Sequence, residues 1–286
     1  MNETKDEVPQ GCTHDCASCS ANCGTRQEAQ SLLEPLNEHS EVRNVIAVVS
    51  GKGGVGKSLV TALLAAGMRR AGRRVGVLDA DITGPSVPRI FGLEGQPVTD
   101  SSYGLLPLRS AGGVEVMSVN LLLSDPTAPV LWRGPVLAGV VRQFWHEVCW
   151  GVLDDLFIDM PPGTGDVPLT VFQSLPVRGI VIVTSPQELV GTIVEKAVNM
   201  AELMGVPVLG LVENMSYYQC PDCGARHAIF GESHVDVIAA RHGIPSVARI
   251  PLDPAIARAA DAGTLETLEA DWLDGLGADL LRRLGG

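Results

Sequence analysis

The sequence predicts an α/β fold in which a mostly parallel sheet is doubly wound, with helices on both faces. Two observations predict it. From Asn44 onward, short unbroken runs of Val, Ile and Leu alternate with longer amphipathic segments, the pattern of repeated βα units with strands buried on both faces. Aromatic residues make up only 4% of the chain against 45% hydrophobic residues, so the core is built from aliphatic side chains, as such sheets require.

The elements follow in order. Val45 to Ser50 reads as a strand, Lys57 to Ala71 as a helix, and Arg74 to Asp79 as a second strand ending in acid. Val114 to Val119 is a third strand. Pro135 to Trp150 is a long helix, with proline tolerated at its first position. Leu156 to Met160, Gly179 to Thr184 and Val208 to Val212 are further strands, with a helix at Val190 to Met204. Val247 to Ile250 is the last strand and precedes a helix at Pro254 to Ala262. Between Asp271 and Leu284, the residues Leu273, Leu276, Leu280 and Leu284 share one helical face. The polar face there is mainly acidic, so the helix is expected to dock on its own domain rather than on a membrane.

Residues 1 to 40 differ from this pattern. They are polar, hold four cysteines and lack apolar periodicity, which reads as a metal-binding tail and linker ahead of a body spanning 41 to 286. A chain of 286 residues has room for about two average domains, yet a single α/β domain accounts for most of this one.

The formal charge of −12 argues against nucleic-acid binding. No apolar run is long enough to cross a membrane, and Met1 to Gln10 is polar and acidic, unlike a signal peptide. A cytoplasmic location is therefore expected, and there clustered cysteines read as metal ligands or redox groups rather than disulfides. Six of the seven cysteines are clustered; Cys149 stands alone on an apolar helix and reads as a buried, inert thiol.

Gly51-Lys52-Gly53-Gly54-Val55-Gly56-Lys57-Ser58 fits G-x-x-x-x-G-K-[ST] and lies between a strand and a helix, the context that turns the pattern into a phosphate loop. Its glycines let backbone N–H groups form an anion nest, and the following helix aims its positive end at the phosphates. Lys57 is expected to reach the β- and γ-phosphates of ATP, and Ser58 to ligate Mg²⁺. Lys52 is not needed to hold one nucleotide. The segment resembles the deviant phosphate loop of the MinD/ParA/nitrogenase-iron-protein class, which implies that Lys52 reaches across a dimer interface and that ATP joins two subunits.

Asp79 and Asp81, in L-D-A-D-I-T-G-P-S, end the second strand near the expected γ-phosphate, and Asp81 is the favoured residue to orient the attacking water. Asp159, in F-I-D-M-P-P-G-T-G-D, ends an apolar strand where an aspartate holds the Mg²⁺ shell. Gly163 and Gly165 suit a loop that moves when the γ-phosphate leaves. Asp166 has a rival reading as a helix N-cap.

Cys220-Pro221-Asp222-Cys223-Gly224 is a compact knuckle whose two sulfurs can converge on one metal centre. It is incomplete, because tetrahedral zinc and common iron–sulfur clusters take four ligands. His227 is a candidate third; two copies of the pair about a two-fold axis would supply four. Structural zinc, a redox dithiol and an unmetallated pair compete. A redox dithiol is expected at a helix start, and this segment opens none.

The strand end G-L-V-E-N-M-S-Y followed by C-P-D-C-G resembles the Mrp-type (ApbC-like) iron–sulfur cluster carrier ATPases, as do L-D-A-D-I-T-G-P-S, L-W-R-G-P and D-M-P-P-G-T-G-D. The likeness runs in order from about Asn44 to about Gly263. It implies a homodimer that bridges a [4Fe–4S] cluster through Cys220 and Cys223, hydrolyses ATP, and transfers the cluster to apo iron–sulfur proteins. It also implies that Asn214 contacts the adenine and that Arg133 lies near the dimer face. Two other readings stand beside it: an ATPase with structural zinc at its cysteines, and an ATP-driven electron donor. A MinD/ParA-like positioning ATPase is a further rival, which the acidic charge and the knuckle oppose.

Cys12, Cys16, Cys19 and Cys23 place four thiols within 12 residues of a tail too polar to bury them. Relatives of eukaryotic type carry an N-terminal four-cysteine cluster site with wider spacing. A second [4Fe–4S] cluster and a zinc ion are both compatible with this set, and His14 reads as a bystander.

Overall fold

The computed structural model describes residues 32–81, 86–96, 98–122, 134–163, 165–186, 190–268 and 270–285. The elements are β1 (Glu41–Val49), α1 (Lys57–Arg70), β2 (Val75–Asp79), α2 (Val87–Ile90), β3 (Thr99–Ser101), β4 (Gly104–Leu106), β5 (Leu108–Arg109), β6 (Glu115–Ser118), α3 (Gly134–Glu147), β7 (Val152–Asp159), α4 (Asp166–Ser174), β8 (Val177–Thr184), α5 (Val190–Leu203), β9 (Val208–Glu213), β10 (Tyr218–Gln219), β11 (Arg226–His227), α6 (Val235–Arg241), β12 (Val247–Arg249), α7 (Pro254–Asp261) and α8 (Asp274–Leu284).

Among the described residues, eight strands form one sheet in the order β12-β9-β8-β1-β7-β2-β6-β5. Every neighbouring pair is parallel except β5 with β6. β1 lies in the interior of the sheet, flanked by β7 and β8, and its six residues from Asn44 to Val49 are all buried. The sheet separates two aliphatic cores. One holds Val45, Ala47 and Val49 against α3, α4 and α5; the other holds Ile46 and Val48 against α1, α7 and α8. Alternate residues of one strand thus enter opposite cores, which is why the strand reads as unbroken in sequence. The carboxyl ends of β1, β2, β7 and β9 meet at one end of the sheet, where ligands bind in open α/β sheets.

At the opposite end, a buried polar cluster ties β1, β2 and β7 together. The fully buried Asp155 carboxylate accepts from Arg73 Nε, from Arg73 Nη2 at 2.8 Å and from Asn44 Nδ2 at 3.0 Å. Asn44 Oδ1 accepts from Arg178 at 2.8 Å. Removing one member of such a set strands the others. Asp155→Ala is expected to cost about 3–5 kcal/mol in urea unfolding; a loss below about 1 kcal/mol would place the pair among weak surface contacts.

Several expectations are corrected. Helix α3 ends at Glu147, so Cys149 lies beyond it and is half-buried, with its sulfur 3.9 Å from the His39 carbonyl. Strand β1 begins at Glu41, four residues before the expected start at Val45. Glu34 is already bonded to the body: its N–H donates to the Ser174 carbonyl at 2.8 Å, and its carbonyl accepts from Trp145 Nε1 at 3.0 Å. Gly165 takes the N-cap position of α4, so Asp166 is the first helical residue and not the cap. Helix α8, by contrast, docks as expected, with Leu276, Leu280 and Leu284 buried.

Candidate functional site

The loop Gly51–Ser58 joins β1 to α1 and lines a cleft of about 310 Å³ together with Asp81, Ser86, Ile90 and Pro162. Gly56 has a φ of 82°, and a Cβ there would lie 2.2 Å from Asn214 Nδ2, so glycine is needed at this position for both conformation and space. Among the described residues no side chain caps the start of α1, and its first turn holds no acid. Its leading N–H groups thus stay open to an anion. Lys52 lies exposed on the loop.

Lys57 is buried beneath the loop, with 6% of its side chain exposed. Its Nζ lies 2.7 Å from Asp159 Oδ1 and 3.5 Å from Asp81 Oδ2. Ser58 Oγ donates to Asp159 Oδ2 at 2.6 Å. Thr61, one turn further along α1, donates to Asp159 Oδ1 at 3.1 Å or to the Lys57 carbonyl at 3.0 Å. The sequence reading missed Thr61, although its i+4 spacing from Lys57 places it on the same helical face.

Asp79 sits deeper and is 1% exposed. It accepts from the Asp81 N–H at 3.1 Å and from Ser118 Oγ at 3.1 Å. Burial first, and then the charge of Asp159, push its carboxyl well above the ordinary range, against the pull of Lys57. Burial also raises Asp159, against the charge and hydrogen bond of Lys57. A carboxyl raised on folding contributes stability that is complete below its unfolded pKa of about 3.9 and is lost as pH rises through the folded value. Asp79→Asn is therefore expected to raise the melting temperature at pH 7 by about 2–4 °C, with a gain that shrinks at acidic pH. An equal gain at both pH values would remove ionisation as the cause.

The second feature starts where β9 ends. Asn214, 4% exposed, donates from its backbone to the Thr184 carbonyl at 2.8 Å and from Nδ2 to the Val55 carbonyl of the phosphate loop at 3.0 Å. Six residues later the chain enters the knuckle between β10 and β11, which pair Tyr218 with His227 and Gln219 with Arg226. Gly224, with a φ of 72°, returns the chain and donates to the Cys220 carbonyl at 2.9 Å, while the Cys220 N–H donates to the Ala225 carbonyl at 2.9 Å. The Arg226 guanidinium covers the Tyr217 ring at 4.4 Å.

Cys220 is half-buried and Cys223 exposed. The N–H groups of Cys223 and Asp222, followed by the Cys223 side chain, hold the Cys220 thiol below its ordinary pKa. That favours thiolate, the form that binds metal. Among the described residues, no three His, Cys, Asp or Glu side chains gather into a metal site, so His227 is not brought to the pair as a third ligand. Cys12, Cys16, Cys19, Cys23 and His14 lie outside the described residues, as do Arg133 and the side chain of Asp166.

Comparisons with known proteins agree with this geometry. The family model for ParA, described as NUBPL iron-transfer P-loop NTPase, matches residues 41–273. An iron-sulfur cluster carrier protein of Methanocaldococcus jannaschii is 41% identical over 258 residues, covering 88% of this chain and 89% of its own length. One of the same name from Pseudomonas fragi is 46% identical over 226 residues and 78% of each chain. A solved nucleotide-binding protein from Archaeoglobus fulgidus, in complex with ADP, superposes with a TM-score of 0.75 at 46% identity, covering 82% of this chain and 91% of that one. The cell division ATPase MinD of Pyrococcus furiosus shares the fold with a TM-score of 0.58 at 20% identity, covering 84% and 99%. With the family model spanning nearly the whole body from β1 to the residues before α8, the chain belongs to the ParA-class family of NUBPL iron-transfer P-loop NTPases.

Proposed function

We propose that this protein hydrolyses ATP and carries an iron–sulfur cluster, held between two copies of the chain, which it delivers to apo-proteins. The observation that carries the reading is the pairing of two features in one body. A phosphate loop with its lysine and carboxylates follows β1, and the Cys220/Cys223 pair, half a ligand set with the Cys220 thiol held below its ordinary pKa, follows β9. The names of the relatives support the same cargo.

In this reading Gly51 to Ser58 cradle the phosphates with backbone N–H groups. Lys57 exchanges its bonds to Asp159 and Asp81 for the β- and γ-phosphate oxygens. Ser58 Oγ and the Asp159 carboxylate, 2.6 Å apart and beside Asp81, are hard oxygen donors that suit Mg²⁺. When bound there, the ion neutralises phosphate charge. Asp81 orients the attacking water, Lys52 reaches the partner's nucleotide, and Asn214 contacts the adenine. Cys220 and Cys223 of two copies make the four thiolates of a [4Fe–4S] cluster. Cys12, Cys16, Cys19 and Cys23, in a tail of residues 1–40 ahead of the ATPase body, hold a second cluster or zinc. No described helix is long and apolar enough to cross a membrane, which fits a cytoplasmic carrier.

Anaerobic reconstitution with iron and sulfide tests the proposal, read by metal analysis, visible absorption and molar mass. Iron with charge-transfer absorption in a species of twice the chain mass is expected. Stoichiometric zinc in place of iron would make the cysteines structural and overturn the carrier reading.

A further inference from the structure

The phosphate loop and the cysteine hairpin are joined by a short, almost fully anchored segment of chain. Asn214 is the first residue after β9, and its side-chain amide is bonded at both ends. Nδ2 donates to Val55 of the phosphate loop at 3.0 Å, and Oδ1 accepts from the Met215 N–H at 2.9 Å. Beyond it the chain is fixed again. The Ser216 N–H donates to the Ile250 carbonyl at 2.9 Å, and the Tyr217 carbonyl accepts from the Leu252 N–H at 2.7 Å. Ser216 Oγ donates to Glu213 Oε2. Glu213 is 1% exposed, and its other oxygen has no partner among the described residues.

Between these anchors stands Met215, with a φ of 56°, the one non-glycine residue with positive φ among those described. A left-handed conformation is unfavourable for an ordinary L-residue, because it crowds Cβ against the following carbonyl oxygen. Such strain persists only where the surroundings impose it, and it gathers at switches and ligand sites. Here the surroundings are identifiable. The Asn214 amide holds the Met215 N–H from one side, and the Glu213–Ser216 bond holds the next residue from the other.

We propose that Asn214, Met215 and Ser216 are positioning residues through which nucleotide at the phosphate loop sets the geometry of the Cys220/Cys223 hairpin. A shift of the Val55 carbonyl moves the Asn214 amide, and the amide moves the Met215 N–H. Ser216 and Tyr217 are hydrogen-bonded to Ile250 and Leu252 and move with that segment as one unit, so a rotation about Met215 is carried through them into β10, which begins three residues after it and leads directly to Cys220. The inference rests on the reading that ATP turnover governs the cysteine pair. It locates the coupling in the segment after β9.

Met215→Gly and Ser216→Ala test it. Glycine at 215 adopts either sign of φ freely, so it absorbs the movement; alanine at 216 releases the Glu213 anchor. Neither touches the lysines, carboxylates or thiols of the proposed sites. The first measurement is hydrogen exchange of the amides from Tyr217 to His227, with and without ATP and Mg²⁺. Wild type is expected to change its protection on adding nucleotide, and both variants to lose most of that change, about fivefold or more, at ATP affinities within about twofold of wild type. A purely structural role would raise exchange equally with and without nucleotide. The second measurement is the ratio of cluster transfer rates with ATP and with ADP, expected to fall toward one in the variants. Variants that keep the wild-type response, or a wild type that shows none, overturn the link. A nucleotide response at the hairpin in a protein that binds no iron would overturn the carrier reading and leave the link standing.

Discussion

Lys57→Ala is expected to lower ATP hydrolysis by about 10²–10³-fold, the usual loss when one preorganised donor to transition-state charge is removed, while iron loading stays at the wild-type level. The side chain is buried, 2.7 Å from Asp159 and 3.5 Å from Asp81. It is the cation of a cluster that also contains the buried Asp79. It offsets carboxylate charge, and in the proposed mechanism it transfers to phosphate oxygens when ATP binds. Its removal therefore has two effects that separate experimentally. Phosphate release falls. The folded state also loses stability at neutral pH, because Asp159 keeps the Ser58 and Thr61 hydroxyls but no longer has a buried cation. Cluster transfer, measured with an apo-acceptor, is expected to lose its response to ATP. Hydrolysis within about tenfold of wild type would assign the role to another group, and transfer that still responds to ATP would uncouple it from hydrolysis.

The second large effect is at the hairpin. Cys220→Ala with Cys223→Ala is expected to abolish the bridging cluster and return the reconstituted protein from a dimer to a chain of 30.1 kDa. Both thiols lie at the surface end of a two-residue ladder, so the folding free energy is expected to stay within about 0.5 kcal/mol of wild type, and basal ATP hydrolysis is expected to persist. Iron that survives the double substitution belongs to Cys12, Cys16, Cys19 and Cys23. A dimer that survives without iron would show that the subunits meet through the nucleotide face alone.

Much of this site is legible in the sequence because its chemistry is local. The phosphate loop, the strand-end aspartates and the C-x-x-C pair are contiguous motifs, and the helix α1 and strands β2 and β9 fall within a residue or two of their expected bounds. What was not legible depends on contacts distant in sequence. Asn214 reads only as polar at a strand end, yet it grips a carbonyl 159 positions earlier. Ser118 reaches Asp79 across a strand pair, and Asp155 gathers Asn44 from β1 and Arg73 from the loop just before β2. The ladders β3/β4 and β10/β11 are two or three residues long, too short for a period of two to register. Cys149 was misplaced because the apolar pattern of α3 continues into Val148 and Trp150, which are buried after the helix has ended.

The sheet terminates in β5, two residues long, on one side and β12, three residues long, on the other. Each carries an arginine paired with an acid, Arg109 with Glu115 and Arg249 with Asp236. Short, charged borders deny an incoming strand a template. Borders of this kind work against edge-to-edge stacking into fibres, which leaves the loop end of the sheet as the face for the proposed self-association.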